Sequence, residues 1–192
     1  MCDLLAKNFF GMTKMAFADS LKETVESVFG IPLETLYGTD SMKNGPSPVL
    51  WEDVSKEINM IHRPMDTRPH EALTVRELLQ IFGTDVCRRF YKNFWCDLTF
   101  RTIEKTYSNN PYVLISDVRF PNEADGIRER GGLVIRLTRN WVSKDAHSSE
   151  IALDSYEDFD IIIDNKDLSI EESQVILLEK LKEKGITFDA IH

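Results

Sequence analysis

Charged side chains follow three apolar runs that have the composition of β-strands. The residues concerned are Asp19 and Lys22 after TKMAF, Asp117 and Arg119 after YVLIS, and Arg139 after LVIRL. In a parallel sheet, ligands bind beyond the carboxyl ends of the strands, so a strand delivers the side chains that follow it to a cleft. We therefore interpret these residues as candidates for one binding cleft, where a few local cations suffice for a small anionic ligand.

Further candidates lie on predicted helices. Arg76 and Gln80 are four residues apart and share one helical side, Arg88 follows GTDVC, and Trp95 and Asp97 belong to the segment FWCD. A solvated helix face explains a single arginine equally well. A tryptophan on a helix lies more often in the core than against a ligand, so the spacing alone leaves both interpretations open.

The residues at the strand ends also have structural explanations. Asp19, or Ser20 beside it, is of the residue type that caps a helix N-terminus. An ion pair between Asp117 and Arg119 on the surface would contribute little to stability. Their position at the end of an apolar strand favours a functional role for this pair.

Strands and helices alternate along the sequence, which predicts an α/β fold with a parallel sheet covered by helices on both faces. The predicted strands are TKMAF, YVLIS, LVIRL and FDIII. YVLIS is continuously apolar, as expected of a strand buried on both faces. MCDLLAKNFFG is predicted to be the first helix, and Leu21, Val25, Val28 and Phe29 form the apolar face of the second.

Short-range signals predict where other helices begin and end. The predicted features are capping boxes at Thr74–Glu77 and Ser169–Glu172, an interruption at Gly83, an aromatic helix over 90–106, a helix start at Pro121, and helix ends at Gly131 and Gly185.

The stretch 38–73 breaks the regular pattern and contains four of the seven prolines, which are Pro46, Pro48, Pro64 and Pro69. We interpret it as a mobile or irregular insertion rather than a second domain. The chain is accordingly predicted to be one domain, 1–192.

The composition limits the class of partner. A net charge of -9 argues against binding to a nucleic acid polymer, which needs an excess of Lys and Arg. The cysteines Cys2, Cys87 and Cys96 form no Cys-x-x-Cys pair, which favours a reduced, cytoplasmic protein. The sequence shows neither a membrane-spanning run nor a secretory leader, so no membrane partner is expected.

Several stretches occur in an order that resembles a known family. FADSLKE, TVRELLQIFGTDVCR, FWCD, ISDVRFPNEADGIRERGGLVIRLTR and HSSEIAL together resemble the deoxynucleoside monophosphate kinases of bacteriophages and related bacterial genomes. The resemblance covers nearly the whole chain. It implies a three-layer parallel sheet of the P-loop nucleoside monophosphate kinase type. The implied activity is transfer of the γ-phosphoryl group of ATP, with Mg²⁺, to a deoxynucleoside monophosphate (dNMP).

The resemblance also implies a role for each candidate residue. Arg76 and Arg119 would bind phosphates, with Lys22 a further candidate, and Asp117 would read the edge of the nucleobase or orient the acceptor. Trp95 would stack on the nucleobase or form one wall of its pocket. The other implied acceptor-side residues are Asp19, Gln80, Arg88 and Asp97.

Two segments and one arginine complete these implied assignments. The stretch 38–73 would be an acceptor-binding insertion, 140–157 would be a lid-like segment, and Arg139 would lie near ATP. No residue is assigned to a metal.

One part of the family pattern is missing from the sequence. The family begins with a strand and a glycine-rich phosphate loop, yet the sequence contains no G-x-x-x-x-G-K-[ST]. MCDLLAKNFFG has the pattern of the helix that follows this loop. The resemblance implies that the missing strand lies between YVLIS and LVIRL. We therefore expect the N-terminal strand and phosphate loop to be missing, and phosphoryl transfer to be absent or impaired.

Three functions are compatible with this pattern. The chain is a dNMP kinase whose sequence lacks its front end, a catalytically silent module that still binds nucleotides, or a structural relative, since fold does not fix function. A homodimer is as compatible with the sequence as a monomer.

Overall fold

The computed structural model describes residues 2–9, 11–58, 70–109, 112–138 and 152–188. The chain divides into two compact units. The terminal unit comprises Met1–Ala16 and Phe100–His192, and the middle unit comprises Phe17–Thr99.

The secondary structure alternates between helices and short strands. In chain order the elements are α1 (Cys2–Asn8), β1 (Met12–Met15), α2 (Phe17–Phe29), α3 (Leu33–Leu36), α4 (Asp40–Lys43), β2 (Pro46–Leu50), a 3₁₀ turn (Trp51–Asp53), β3 (Ala72–Thr74), α5 (Val75–Gln80), a π-helix (Ile81–Arg88), α6 (Phe94–Thr106), β4 (Tyr112–Ile115), α7 (Pro121–Glu129), β5 (Ile135–Thr138), β6 (Ile161–Asp164) and α8 (Ile170–Glu183).

Two parallel strand pairs form the framework of the terminal unit. β1 pairs with β4 from Met12↔Tyr112 to Met15↔Ile115. β5 pairs with β6 from Ile135↔Ile161 to Thr138↔Asp164. Within the residues that the structure describes, β4 and β5 each have one hydrogen-bonded neighbour. These pairs confirm an α/β protein with parallel strands, whereas the three-layer sheet stays a prediction.

The core of the terminal unit joins both strand pairs to the first and last helices. Its buried members are Leu5, Met12, Ile161, Ile163, Leu177 and Leu181. The aromatic ring of Phe188 packs edge-on against that of Tyr112 on β4, with centroids 4.7 Å apart. The same apolar cluster therefore covers one side of β1, β4, β5 and β6.

The middle unit is built around helices and an antiparallel strand pair. Its buried members are Val25, Ile31, Leu36, Trp51, Leu73, Val75, Leu78 and Ile81. β2 pairs with β3 through Pro46↔Thr74 and Leu50↔Ala72, with a register irregularity between them. This core includes residues of α2 and α5, the two helices that carry several candidate site residues.

The predicted capping boxes are confirmed. The backbone N–H of Glu77 donates to the Thr74 hydroxyl at 3.1 Å, and the Thr74 N–H donates to the Glu77 carboxylate at 2.8 Å. Ser169 and Glu172 form the same reciprocal pair. Gly11, Gly131 and Gly185 follow helices with φ of 74°, 76° and 79°, which glycine adopts without steric cost.

The prediction that 38–73 is irregular is wrong for the part that the structure describes. That part contains α4, β2 and the 3₁₀ turn, and Trp51 is buried. Within the described residues β2 has one neighbouring strand, so Pro48, which has no N–H, can lie on the edge side of β2. Pro64 and Pro69 lie outside the described residues.

Three other boundary predictions need correction. Gly83 does not interrupt the helix, because α5 continues directly into the π-helix. The aromatic helix begins at Phe94 rather than Phe90, which is 87% exposed. Phe17 begins α2 and is buried instead of ending the strand. Asp19 accordingly lies in the first turn of α2 and not at its N-cap.

β4 is less buried than its composition predicts. All four of its residues are half-buried, although the run YVLI was expected to be covered on both faces. On the strands β5 and β6, Leu137 and Ile162 are exposed. Apolar side chains of the terminal unit therefore remain accessible along its parallel strands.

We expect the two valines of α2 to differ sharply in their effect on stability. Val25 is 0% exposed and Val28 is 60% exposed, although both were predicted to face the core. Val25→Ala should lower the free energy of unfolding by about 1–3 kcal/mol because it leaves a cavity. Val28→Ala is the matched control and should change it by less than about 0.5 kcal/mol. Urea unfolding measures both, and equal losses would contradict this packing.

The Ser169–Glu172 capping box should be detectable as a lowered pKa when the Glu172 carboxyl is titrated with acid. Hydrogen bonds from the backbone and the side chain of Ser169 lower the pKa of the Glu172 carboxyl. A lowered folded-state pKa means that the box stabilises the fold above the ordinary glutamate pKa, and that this contribution is lost as pH falls through the folded-state pKa. Ser169→Ala should raise the midpoint of the Glu172 carboxyl carbon-13 titration, measured by NMR.

The exposed serine Ser108 provides the control for this titration. Ser108→Ala should leave the Glu172 midpoint where it is. A midpoint that does not move in Ser169→Ala would show that the serine side chain has no part in the shift.

Candidate functional site

The loop after β4 carries two of the predicted site residues. The Ser116 N–H donates to the carbonyl of Met15 at 3.0 Å, which extends the pairing of β1 and β4 by one step. The Ser116 hydroxyl donates to the same carbonyl at 3.3 Å. Asp117 follows half-buried and Arg119 is exposed. Both therefore lie at the carboxyl edge of a parallel strand pair, as the sequence predicts.

A buried carboxylate closes this loop on its other side. Oε2 of Glu123 accepts hydrogen bonds from the backbone N–H of Arg119 at 2.7 Å and of Phe120 at 3.1 Å. Glu123 is only 1% exposed. It is the third residue of α7, which begins at Pro121. Glu123 was missed from the sequence, although a glutamate at the third position of a helix is a known capping signal.

Tyr37 links two predicted site residues on the middle unit. Its hydroxyl donates to Oδ1 of Asp19 at 2.7 Å, and the Lys22 ammonium lies 3.8 Å from the centre of its ring. Asp19 and Lys22 are both half-buried on the first turns of α2. The structure therefore brings together a carboxylate, an ammonium group and a phenol. Tyr37 was missed because no short-range pattern relates it to α2.

Arg76 lies in the first turn of α5 and has two polar partners from the α4 region. Its Nη2 is 2.6 Å from Oδ1 of Asp40, and its Nε donates to Oδ1 of Asn44 at 3.0 Å. The arginine side chain is 43% exposed and that of Asp40 is 87% exposed. An exposed ion pair of this kind is weak, so the guanidinium can exchange Asp40 for another anion.

The structure places Trp95 in the core of the middle unit. The indole is 2% exposed, and its N–H donates to the carbonyl of Gly83 in the π-helix at 2.9 Å. Phe94 and Phe82 pack against it with ring centroids 4.8 Å and 6.5 Å away. A direct stacking contact with a nucleobase would require these rings to move, so that role of Trp95 stays a prediction.

The remaining candidates of the middle unit line the π-helix and α6. Gln80 is the last residue of α5 and Arg88 is the last residue of the π-helix, and both are half-buried. Oδ2 of Asp97 accepts a hydrogen bond from the Tyr91 hydroxyl at 2.5 Å. π-helical turns occur frequently at functional sites, which agrees with the placement of Arg88 among the candidates.

Part of the predicted lid falls outside the described residues. Arg139 and residues 140–151 are among those not described, whereas 152–157 are described. The Tyr156 hydroxyl donates to Oδ1 of Asp125 on α7 at 3.0 Å. Burial and this hydrogen bond raise the pKa of the Tyr156 hydroxyl. Tyr156, near the end of the segment predicted to be a lid, is therefore hydrogen-bonded to α7.

Two kinds of feature are absent from the ranges that the structure describes. Across those ranges, no group of three or more His, Cys, Asp and Glu side chains is arranged to hold a metal ion. The helices found there are too short or too polar to cross a membrane.

Each unit thus presents charged groups suited to an anionic ligand. Guanidinium groups bind phosphate oxygens through paired hydrogen bonds, which Arg119 and Arg76 can supply. Carboxylates such as Asp117 and Asp19 accept hydrogen bonds from ligand N–H and O–H groups.

Known proteins were compared with the whole sequence. A sequence model of the family described as "Deoxynucleotide monophosphate kinase" matches residues 6–176. The chain is 32% identical over 178 residues to "Putative deoxynucleotide monophosphate kinase" of Acanthamoeba polyphaga mimivirus, which covers 86% of this chain and 82% of that protein. It is 31% identical over 113 residues to "Uncharacterized protein ORF77" of Ictalurid herpesvirus 1 (strain Auburn), which covers 56% of this chain and 49% of that protein. The family match spans most of the sequence and confirms the resemblance: the chain belongs to the deoxynucleotide monophosphate kinase family.

Proposed function

We propose that this protein is a kinase that transfers the γ-phosphoryl group of ATP to a dNMP. An oxygen of the dNMP phosphate attacks the γ-phosphorus, the bond to the β–γ bridging oxygen breaks, and ADP and dNDP are the products. The observation that carries the proposal is the family match over residues 6–176. Catalysis of this kind consists mainly of positioning and charge neutralisation, so the proposal depends on which residues hold the phosphates.

Arg119 in the terminal unit and Arg76 in the middle unit are each assigned to phosphate binding. Arg119 follows a parallel strand and is exposed, which supports access to a ligand beyond the strand end. Arg76 is held by Asp40 in an exposed ion pair, and an incoming phosphate can replace that carboxylate. Asp117 is assigned one of two roles: it hydrogen-bonds to the edge of the nucleobase, or it orients the acceptor. Arg76, Asp117 and Arg119 form the catalytic set of the proposal.

The dNMP itself is assigned mainly to the middle unit. Asp19 and Lys22 meet at Tyr37, which supports a common role for them on the acceptor side. The other residues assigned to this side are Gln80, Arg88, Trp95 and Asp97. In the same proposal 1–192 is a single kinase-like domain, 38–73 is an acceptor-side insertion, and 140–157 with Arg139 is a lid near ATP.

These residues do not supply the groups that bind ATP, the phosphoryl donor. The β- and γ-phosphates of ATP need a cradle of backbone N–H groups and a lysine, and Mg²⁺ needs a hydroxyl from the same glycine-rich loop. None of the nine glycines is followed by lysine. We propose that phosphoryl transfer by these 192 residues is absent or impaired for this reason.

The strand pairing supports this part of the proposal. β4 and β5 each carry a hydrogen-bonded neighbour on one side within the described ranges, and the four β4 residues are half-buried. An additional strand between them would satisfy their peptide groups and cover their apolar side chains. Peptide groups left unsatisfied in a buried position cost about 1–3 kcal/mol each.

Calorimetry with dGMP, dTMP and dCMP tests the acceptor site without requiring ATP. At least one of them should bind, and Arg119→Ala should weaken its binding about 10- to 100-fold because a charged hydrogen bond to phosphate is lost. Arg76→Ala should weaken it in the same direction. The exposed Arg101 is the matched control, and Arg101→Ala should leave the affinity unchanged. A folded wild-type protein that binds none of the nucleotides would refute the proposed acceptor site.

A further inference from the structure

A buried carboxylate at the start of α7 has no role in the function proposed so far. Glu123 is 1% exposed, so its side chain has lost almost all contact with water. A buried charge is costly unless hydrogen bonds compensate for its lost hydration. The donors to this side chain include the backbone N–H groups of Arg119 and Phe120, at 2.7 Å and 3.1 Å from the same carboxylate oxygen. One of these donors belongs to a proposed phosphate-binding residue.

The loop that carries the proposed catalytic residues is fixed at both ends. At one end, the Ser116 N–H and hydroxyl both bind the carbonyl of Met15 at the end of β1. At the other end, Arg119 and Phe120 are held by Glu123. Asp117 therefore lies between two anchors, and the peptide of Arg119 is itself part of the second one. The direction in which the Arg119 side chain leaves the backbone depends on that anchor.

We propose that Glu123 is a positioning residue, which fixes the peptide of Arg119 so that its guanidinium meets the dNMP phosphate. The proposal rests on the assignment of Arg119 to the acceptor phosphate. Glu123 is 1% exposed, so its side chain is not accessible to a ligand. It therefore acts through the Arg119 backbone and not on the substrate.

Three substitutions separate this role from a general contribution to folding. Glu123→Gln keeps an oxygen acceptor of the same reach. Glu123→Met keeps a similar volume and removes the acceptor. Glu123→Asp keeps the carboxyl group but is one methylene shorter, so it serves as the second disabling variant should Glu123→Met fail to fold. Glu129→Met is the matched control, since Glu129 is exposed at the last residue of the same helix.

Amide hydrogen exchange, followed by NMR, tests the anchor directly. In Glu123→Met and Glu123→Asp, the amides of Arg119 and Phe120 should exchange roughly 5- to 100-fold faster than in the wild type, because each loses a hydrogen bond. Glu123→Gln should restore most of the protection, and Glu129→Met should not alter it. Unchanged exchange at both amides in the disabling variants overturns the proposal, whether or not a nucleotide binds.

A double-mutant cycle then tests the link to the ligand. Arg119→Ala should weaken dNMP binding in the wild type and have little further effect in Glu123→Met or Glu123→Asp, because the guanidinium is already misplaced. Strictly additive losses would show that Glu123 does not act through Arg119 and would also overturn the proposal. If the folded wild type binds no dNMP, the proposed function fails and this positioning role fails with it, even where exchange shows the two amides to be held.

Discussion

The peptide groups that leave the end of β4 must be hydrogen-bonded, and this constraint shapes the proposed catalytic loop. Beyond the end of a strand, the peptide N–H groups lose their partners in the sheet. Burying them without hydrogen bonds would cost a substantial part of the free energy of unfolding, which is itself only about 5–15 kcal/mol. Met15 at the end of β1 satisfies the first group, and Glu123 satisfies the last two. The parallel pairing of β1 with β4 and the start of α7 therefore decide together where Asp117 and Arg119 lie.

Structural features that depend on residues three or four positions apart could be predicted from the sequence. The capping boxes at Thr74 and Ser169 form as expected because the side chain and the backbone groups that it satisfies belong to one helical turn. Gly131 ends α7 because its φ of 76° is accessible to glycine without strain. The alternation of apolar runs and helices likewise predicts parallel strands, because a helix that connects two strands of a sheet favours their parallel pairing.

Features that depend on distant residues were predicted less well. Val28 belongs to the same apolar pattern as Val25, yet it is exposed, because burial depends on which neighbours reach that side of α2. The pattern around Gly83 suggests a helix break, but Trp95, 12 residues away, donates a hydrogen bond to the Gly83 carbonyl within a continuous π-helix. Two prolines in β2 suggested an irregular segment, although a two-stranded sheet leaves an edge on which proline is tolerated.

In the candidate site, the residues could be predicted from the sequence, but their hydrogen-bond partners could not. Acid and base residues at the ends of apolar runs could be selected from the sequence, because parallel strands deliver them to one edge. Their partners could not, since Tyr37 lies 18 residues from Asp19 and Asp40 lies 36 residues from Arg76. Only the folded chain shows that Asp19 and Lys22 share one tyrosine, and that Arg76 is held by the carboxylate of Asp40.

The central claim is that these residues supply the acceptor half of a dNMP kinase and lack the loop that holds the donor phosphates. It is tested most directly by measuring ATP-dependent formation of dNDP for the 192-residue chain and for the same chain preceded by the strand and glycine-rich loop of another family member. Activity should appear in the extended protein and be lost again when the lysine of the added loop is replaced by alanine. Equal turnover by both proteins, or none by a folded extended protein that binds dNMP, would contradict the account.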